Sequence, residues 1–146
     1  MMICCSGCLS TKMPAVSKPV PPAVFIDYHR TGGIAGTDDR VVIFDNGVAV
    51  ISSRQVKTEI ALNASDLDRI TAMLVQAQFP ILQENYPAPR GSADLMNYTI
   101  SYHSKTVTVQ DTAIPPGIQP VIDEMNQILI DASTQNQERS KIHLTA

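Results

Sequence analysis

A chain of 146 residues with 44% hydrophobic content has the length of one compact domain plus tails. Its formal net charge of −3, with the Lys and Arg residues scattered, excludes the clustered cationic footprint that nucleic-acid binding requires. No apolar run approaches the roughly 20 residues of a membrane-spanning helix. All three cysteines, Cys4, Cys5 and Cys8, fall at the extreme N-terminus, which leaves the body of the chain no thiol for a disulfide framework or a metal knot.

The opening Met1-Met2-Ile3-Cys4-Cys5-Ser6-Gly7-Cys8 is short, apolar and uncharged. It resembles the C-terminal end of a bacterial lipoprotein signal peptide, with Cys5-Ser6-Gly7-Cys8 as the lipobox and Cys8 as the lipidated residue. That resemblance implies a membrane tether and an extracytoplasmic domain. Cys5 stands where leucine is usual, and the basic n-region and most of the apolar h-region are missing. A frayed terminus with idle cysteines and a Cys-Cys-x-x-Cys metal site are the alternatives, the second lacking a further ligand pair at metal-binding spacing. From Leu9 to Ala23 the chain turns to Ser, Thr, Lys and Pro. Pro14, Pro19, Pro21 and Pro22 withhold backbone donors and disfavour helix, so residues 9–23 read as an extended linker between 1–8 and a single domain over 24–132.

In that domain Val24, Ile26 and Tyr28 alternate with Phe25, Asp27 and His29, the period of a strand. Arg30-Thr31-Gly32-Gly33-Ile34-Ala35-Gly36 follows, and Gly32, Gly33 and Gly36 predict a tight turn. A phosphate cradle is excluded, because a P-loop needs Gly-Lys-Ser/Thr and Gly36 precedes Thr37-Asp38-Asp39. Strands are predicted over Arg40 to Phe44 and Val48 to Ser52, joined by a two-residue hairpin turn on Asn46-Gly47. Thr58 to Leu62 is a weaker fourth.

Asn63-Ala64-Ser65-Asp66 offers caps and early acid for a helix. Leu67, Ile70, Met73, Leu74 and Ala77 share one face of it, and Pro80 stops it near Phe79. Asn85 to Gly91, containing Tyr86 and Arg90, reads as a loop. Tyr98 to Tyr102 and Lys105 to Gln110 form a second hairpin with a threonine-rich face, which implies helices on only one side of the sheet. Pro120 suits the first turn of a final helix whose stripe is Ile118, Val121, Ile122, Met125, Ile128, Leu129 and Ala132. Periodicity is lost from Ser133, so 133–146 reads as a mobile tail. The fold class is therefore α+β. An antiparallel sheet of five to six strands carries two amphipathic helices on one face, in the order β-β-β-(β)-α-β-β-α.

Candidate chemistry is thin. His29, His103 and His143 share no motif with a nucleophile or an orienting acid, so no catalytic residue is assigned and the chain reads as a non-enzyme. Asp38, Asp39 and Asp45 read as solvated turn acids, since calcium loops repeat their oxygen ligands more tightly. No metal and no cofactor is expected.

Three short stretches carry a family resemblance. They are Tyr28-His29-Arg30-Thr31-Gly32-Gly33-Ile34-Ala35-Gly36, Leu67 to Phe79 with its closing Ala77-Gln78-Phe79, and Asp94-Leu95-Met96-Asn97-Tyr98-Thr99-Ile100. Together with the final amphipathic helix they resemble the emfourin family of small prokaryotic protease inhibitors, which has Arg-x-Gly-Gly-aromatic-Ala where this chain has Ile34. The resemblance spans about Phe25 to Leu129. It implies a protein-binding module acting on a thermolysin-type metalloprotease, with Arg30, Tyr86 and Arg90 as candidate partner-binding residues; a buried or cross-strand ion pair is the alternative reading of Arg30. A structural or small-ligand-binding envelope domain without inhibitory activity is the alternative.

Overall fold

A computed structural model of the chain describes residue 15 and residues 17–144. The lipobox-like start with Cys8 and the first part of the linker lie outside them. Residues 17–23 have no regular structure and are exposed, as four prolines in fifteen positions lead one to expect.

The sheet is built from β1 (Val24–Gly32), β2 (Thr37–Phe44), β3 (Val48–Ser52), β4 (Lys57–Ala61), β5 (Asn85–Tyr86), β6 (Met96–Tyr102) and β7 (Lys105–Gln110). Its spatial order is β4-β3-β2-β1-β6-β7-β5, antiparallel throughout except for the β5–β7 pair. Two helices, α1 (Ala64–Gln76) and α2 (Gln119–Leu144), complete the α+β fold. Short 3-10 turns follow α1 at Phe79–Ile81 and β7 at Asp111–Ala113.

Every strand but the edge pair sends alternate residues to one side. Ile26, Tyr28, Val41, Ile43, Ala49, Ile51, Ile100, Val107 and Val109 are essentially fully buried there. Ile70 and Leu74 of α1 and Val121, Ile122, Met125, Leu129 and Ala132 of α2 cover them. Each large aliphatic side chain removed from water contributes about 1.5–3 kcal/mol, so this single interface carries the stability of the domain. The other face has Asp27, His29, Thr31, Arg40, Ser52, Thr99, Ser101, Thr106 and Thr108, none of them buried. One face packed and one wet is the arrangement the alternation in the hairpins predicts.

Helix α1 begins with a reciprocal cap. Asn63 Oδ1 accepts from the Asp66 N–H at 2.9 Å and Asp66 Oδ2 accepts from the Asn63 N–H at 3.0 Å, satisfying two donors that a helix start leaves orphaned. It ends at Gln76, short of the predicted Phe79, because Gln78 takes a φ of 50° and Pro80 opens the following 3-10 turn.

Three predicted details need correction. Asn85-Tyr86 forms a seventh strand rather than loop, paired in parallel with Thr108-Val109, while Pro87 and Pro89 keep it to two residues. The β2–β3 connection has three residues, Asp45, Asn46 and Gly47, not two. Only Gly47 has positive φ (84°), and its N–H reaches Phe44 O at 3.0 Å, which is the type I turn with a left-handed glycine that joins strands at this loop length. A Cβ on Gly47 would stand 2.5 Å from Leu62 O, so the position requires glycine on steric grounds as well.

The third correction is the C-terminal segment. Residues 133–144 continue α2 instead of forming a mobile tail. Losing the apolar stripe after Ala132 ends the packed face, not the helix. Gln, Glu, Arg and Lys propagate a nucleated helix without burial. The hydroxyls of Ser133, Thr134 and Ser140 donate to carbonyls four residues back at 2.9, 3.1 and 3.0 Å.

Candidate functional site

The glycine-rich stretch closes the hairpin of the two central strands. β1 and β2 pair from Tyr28↔Val41 through Arg30↔Asp39 to Gly32↔Thr37, leaving Gly33-Ile34-Ala35-Gly36 as the turn. The turn is held from three sides. Gly36 N–H donates to Gly33 O at 2.9 Å, Gly33 N–H donates to Leu95 O at 3.3 Å, and Arg54 Nη1 donates to Ala35 O at 3.1 Å. Gly32, with φ of 112°, lies so close to the chain before β6 that a Cβ would stand 2.3 Å from Leu95 O. At the tip Ile34 is 91% exposed, the most solvent-accessible large apolar side chain of the described residues.

Arg30 points the other way, under α2. Its Nε donates to Asp39 Oδ2 at 2.8 Å and its Nη1 to Asn126 Oδ1 at 2.9 Å, while the Tyr28 hydroxyl donates to that same Oδ1 at 2.8 Å. The Arg30 and Asp39 side chains are 28% and 14% exposed. Burial pushes the Tyr28 phenol well above its ordinary range, against an opposing pull from the Arg30 guanidinium. Tyr98, stacked on Tyr28 with ring centroids 6.4 Å apart, donates to Asp111 Oδ1 at 3.0 Å. Burial, and then the acceptor Asp111, push its phenol up to about 12. The cluster is a closed polar network in which each donor named here has an acceptor, and it ties β1, β2, β6 and α2 together.

Arg30, Tyr98, Val109 and Tyr86 form one continuous cross-strand row. Arg30 and Tyr86 therefore share a face but stand three strand spacings apart, about 14 Å, with Tyr98 and Val109 between them. Tyr86 is half-buried and its hydroxyl accepts from the Gln83 N–H at 3.0 Å. Arg90 is exposed in the loop after β5. The three predicted binding residues do not form one patch: Arg30 is committed to its ion pair, Tyr86 to the sheet edge, and only Arg90 is open. Gly33 and Gly36 lie in the turn, whereas Gly32, predicted there, is the last residue of β1 and pairs with Thr37; Asn46 Oδ1 accepts from the Val48 N–H at 3.0 Å inside the other hairpin loop.

Across the sheet, the solvent face carries a second polar group. His29 Nε2 and Asp38 Oδ1 are 2.7 Å apart, and Arg40 Nε donates to Asp27 Oδ1 at 2.9 Å. The hydrogen bond it donates to Asp27 holds the Arg40 guanidinium above its ordinary value. A shallow depression of about 560 Å³ runs beside them, bounded by Val42, Val50, Ser52 and Arg54. The hydroxyls opposite His29 and Asp27 in register, Thr99 and Ser101, are engaged with Thr108 and Thr106. They serve as rungs between strands, and His29 and Asp38 are too exposed, at 42% and 67%, to gain the strength of a water-excluded pair.

Sequence reasoning missed Asn126 and Arg54, and it read Asp39 as a solvated turn acid where the structure has a strand residue, 14% exposed and paired with Arg30. Asp39 was within reach: once a four-residue turn is placed on Gly33 to Gly36, antiparallel register sets Arg30 opposite it. Asn126 and Arg54 had no such signal, since each meets its partner from a separate element. No protein-family model matches the chain, and no curated protein matches it.

Proposed function

We propose that the domain is a protein-binding module that works without chemistry of its own, held at a membrane by lipid on Cys8 and reaching outward on the linker over 9–23. Its target is a thermolysin-type metalloprotease, and its contact element is the β1–β2 turn. The partner class rests on the emfourin resemblance of residues 28–36, 67–79 and 94–100. The observation that carries the binding mode is Ile34, 91% exposed at the tip of a turn braced by Arg54 and Leu95. A braced tip loses little conformational entropy when it enters a cleft, which is how a small convex element attains affinity.

Titration of the purified chain against a thermolysin-type protease tests the reading. Stoichiometric loss of peptide hydrolysis is expected, relieved by Ile34→Asp; undiminished hydrolysis at micromolar excess of the chain removes inhibition of that enzyme. Mass measurement of the mature protein from its native host tests the tether, and an unmodified Cys8 there ends it. The depression beside His29, Asp38 and Arg40 favours a second reading, a small polar ligand on the open sheet face. Chemical-shift changes confined to Asp27, His29 and Arg40 on adding a ligand, with none at Ile34, separate that reading from the first.

A further inference from the structure

The two edges of the sheet are treated differently. The β5 edge is two residues long and flanked by Pro87 and Pro89, which withhold the N–H groups another strand would need. The β4 edge is five residues, Lys57-Thr58-Glu59-Ile60-Ala61, with no proline and a regular register against β3. Its outer row of N–H and C=O groups has no neighbouring strand among the described residues. Lys57 and Glu59 are exposed on the solvent face, and neither makes an ion pair among the described residues. On the helix side, a notch of about 410 Å³ between Ile60 of β4, Leu62 just beyond it, and Gln127, Ile128 and Asp131 of α2 leaves the flank of the edge uncovered.

We propose that a second copy of this chain pairs with β4, antiparallel and about a two-fold axis centred on Thr58. Residues directly opposed across an antiparallel pair share a face, so an axis normal to the sheet must pass through a residue and not between two. A Lys57 centre sets Lys57 against its own copy, and a Glu59 centre does the same for Glu59. An Ile60 centre sets Glu59 against Ala61 and leaves Lys57 outside the pair. Only the Thr58 centre opposes unlike charges, and symmetry makes it do so twice: Lys57 faces Glu59 of the second copy on either side of the axis. The sheet then continues through both copies with both helix layers on one side, and Thr58 and Ile60 line the helix flank of the junction. In this register Lys57, Thr58 and Glu59 of β4 oppose the same three residues of the second copy, a paired length of about 10 Å, so the interface is small and the association reversible.

Sedimentation velocity on the full chain, from about 1 µM to about 1 mM, reads this directly, with reductant present so that Cys4, Cys5 and Cys8 form no disulfides. The species should move with concentration from 15.9 kDa toward twice that mass. Lys57→Glu sets like charges in opposition at both ends and should weaken association at least about tenfold. The double swap Lys57→Glu with Glu59→Lys rebuilds both pairs in reverse and should return affinity to within about threefold of the original. A monomer at every concentration overturns the proposal. So does a Lys57→Glu variant that associates like the original, or a double swap that stays as weak as the single.

Discussion

Arg30 and Asp39 face each other across β1 and β2, Nε to Oδ2 at 2.8 Å, with α2 lying over both. The pair sits where the hairpin leaves the shelter of the helix. Beyond it the strands lose their covering layer, and the turn bearing Ile34 projects into water. Asn126 closes the arrangement from α2 by accepting from both Arg30 and Tyr28.

Removing one member should therefore be felt in stability. Asp39→Ala leaves a half-buried guanidinium with Asn126 as its remaining acceptor and should cost about 1–3 kcal/mol. In the double variant with Arg30→Ala the loss should fall short of the sum of the two singles, because the stranded charge is gone. Urea unfolding of the four proteins measures the cycle; strictly additive losses would show that the pair does not act as a unit.

Two glycines with positive φ should respond unequally to a methyl group. Gly32 has Leu95 O 2.3 Å from the position of a Cβ, whereas nothing lies within 4 Å of one at Gly91. Gly32→Ala should lose about 2–4 kcal/mol from clash and backbone strain together, and Gly91→Ala about 1 kcal/mol from strain alone. Thermal unfolding of both variants gives the order, and a larger loss at Gly91 would contradict the close approach at Leu95.

The helix cap offers a milder test. Asn63→Ala removes the acceptor for the Asp66 N–H and one half of the reciprocal cap, and should cost about 1 kcal/mol. Amide exchange at the first turn of α1 should quicken more than exchange at Ile70, since the defect is local.

High pH should unfold the domain through its tyrosines. Tyr98 is held protonated up to about 12 against an ordinary value of 10.0, and Tyr28 is shifted in the same direction. A phenol whose folded value is raised contributes stability in full below pH 10, and that contribution disappears as pH climbs through 12. Tyrosinate absorbance followed together with circular dichroism should show part of the ionisation appearing only as the fold is lost. Ionisation of all four tyrosines with the fold intact would refute it.

Ile34 separates function from folding. At 91% exposed it gives nothing to the core, so Ile34→Asp should leave unfolding within about 0.5 kcal/mol of the original while abolishing protease inhibition. Parallel unfolding and inhibition curves decide the matter, and unchanged inhibition would move the contact element away from this turn.

Much of the fold was legible in the chain because its periods are clean. Val24 to Tyr28 and the strands of the hairpin from Tyr98 to Val109 alternate with a period of two, and Asn46-Gly47 marks Val48 to Ser52 as the returning strand. The stripe from Ile118 to Ala132 repeats at helical spacing, and both signals come from neighbours in sequence. β5 was hidden because two residues carry no period, and its pairing depends on Thr108 and Val109 more than twenty positions away. The last part of α2 was hidden for the opposite reason: polar helix formers have no packed face to advertise them. Of the site, the glycine turn was visible; for Arg30 a cross-strand ion pair was one of two readings, and what the sequence withheld was Asn126 as its second partner.

Local chemistry alone determined β1 to β4, the second hairpin and the packed parts of both helices, that turns fall at Gly33 to Gly36 and around Asn46-Gly47, and that one sheet face is wet. Those outcomes follow from backbone sterics and hydrophobic period, which act within a few residues. Only the tertiary structure decided that Arg30 turns inward to Asp39 and Asn126, that Ile34 is left at the tip, and that among the described residues β4 ends the sheet with its charges unpaired. Each depends on which distant element arrives beside the residue, and an ion pair or an open edge exists only once the strands have been set in order.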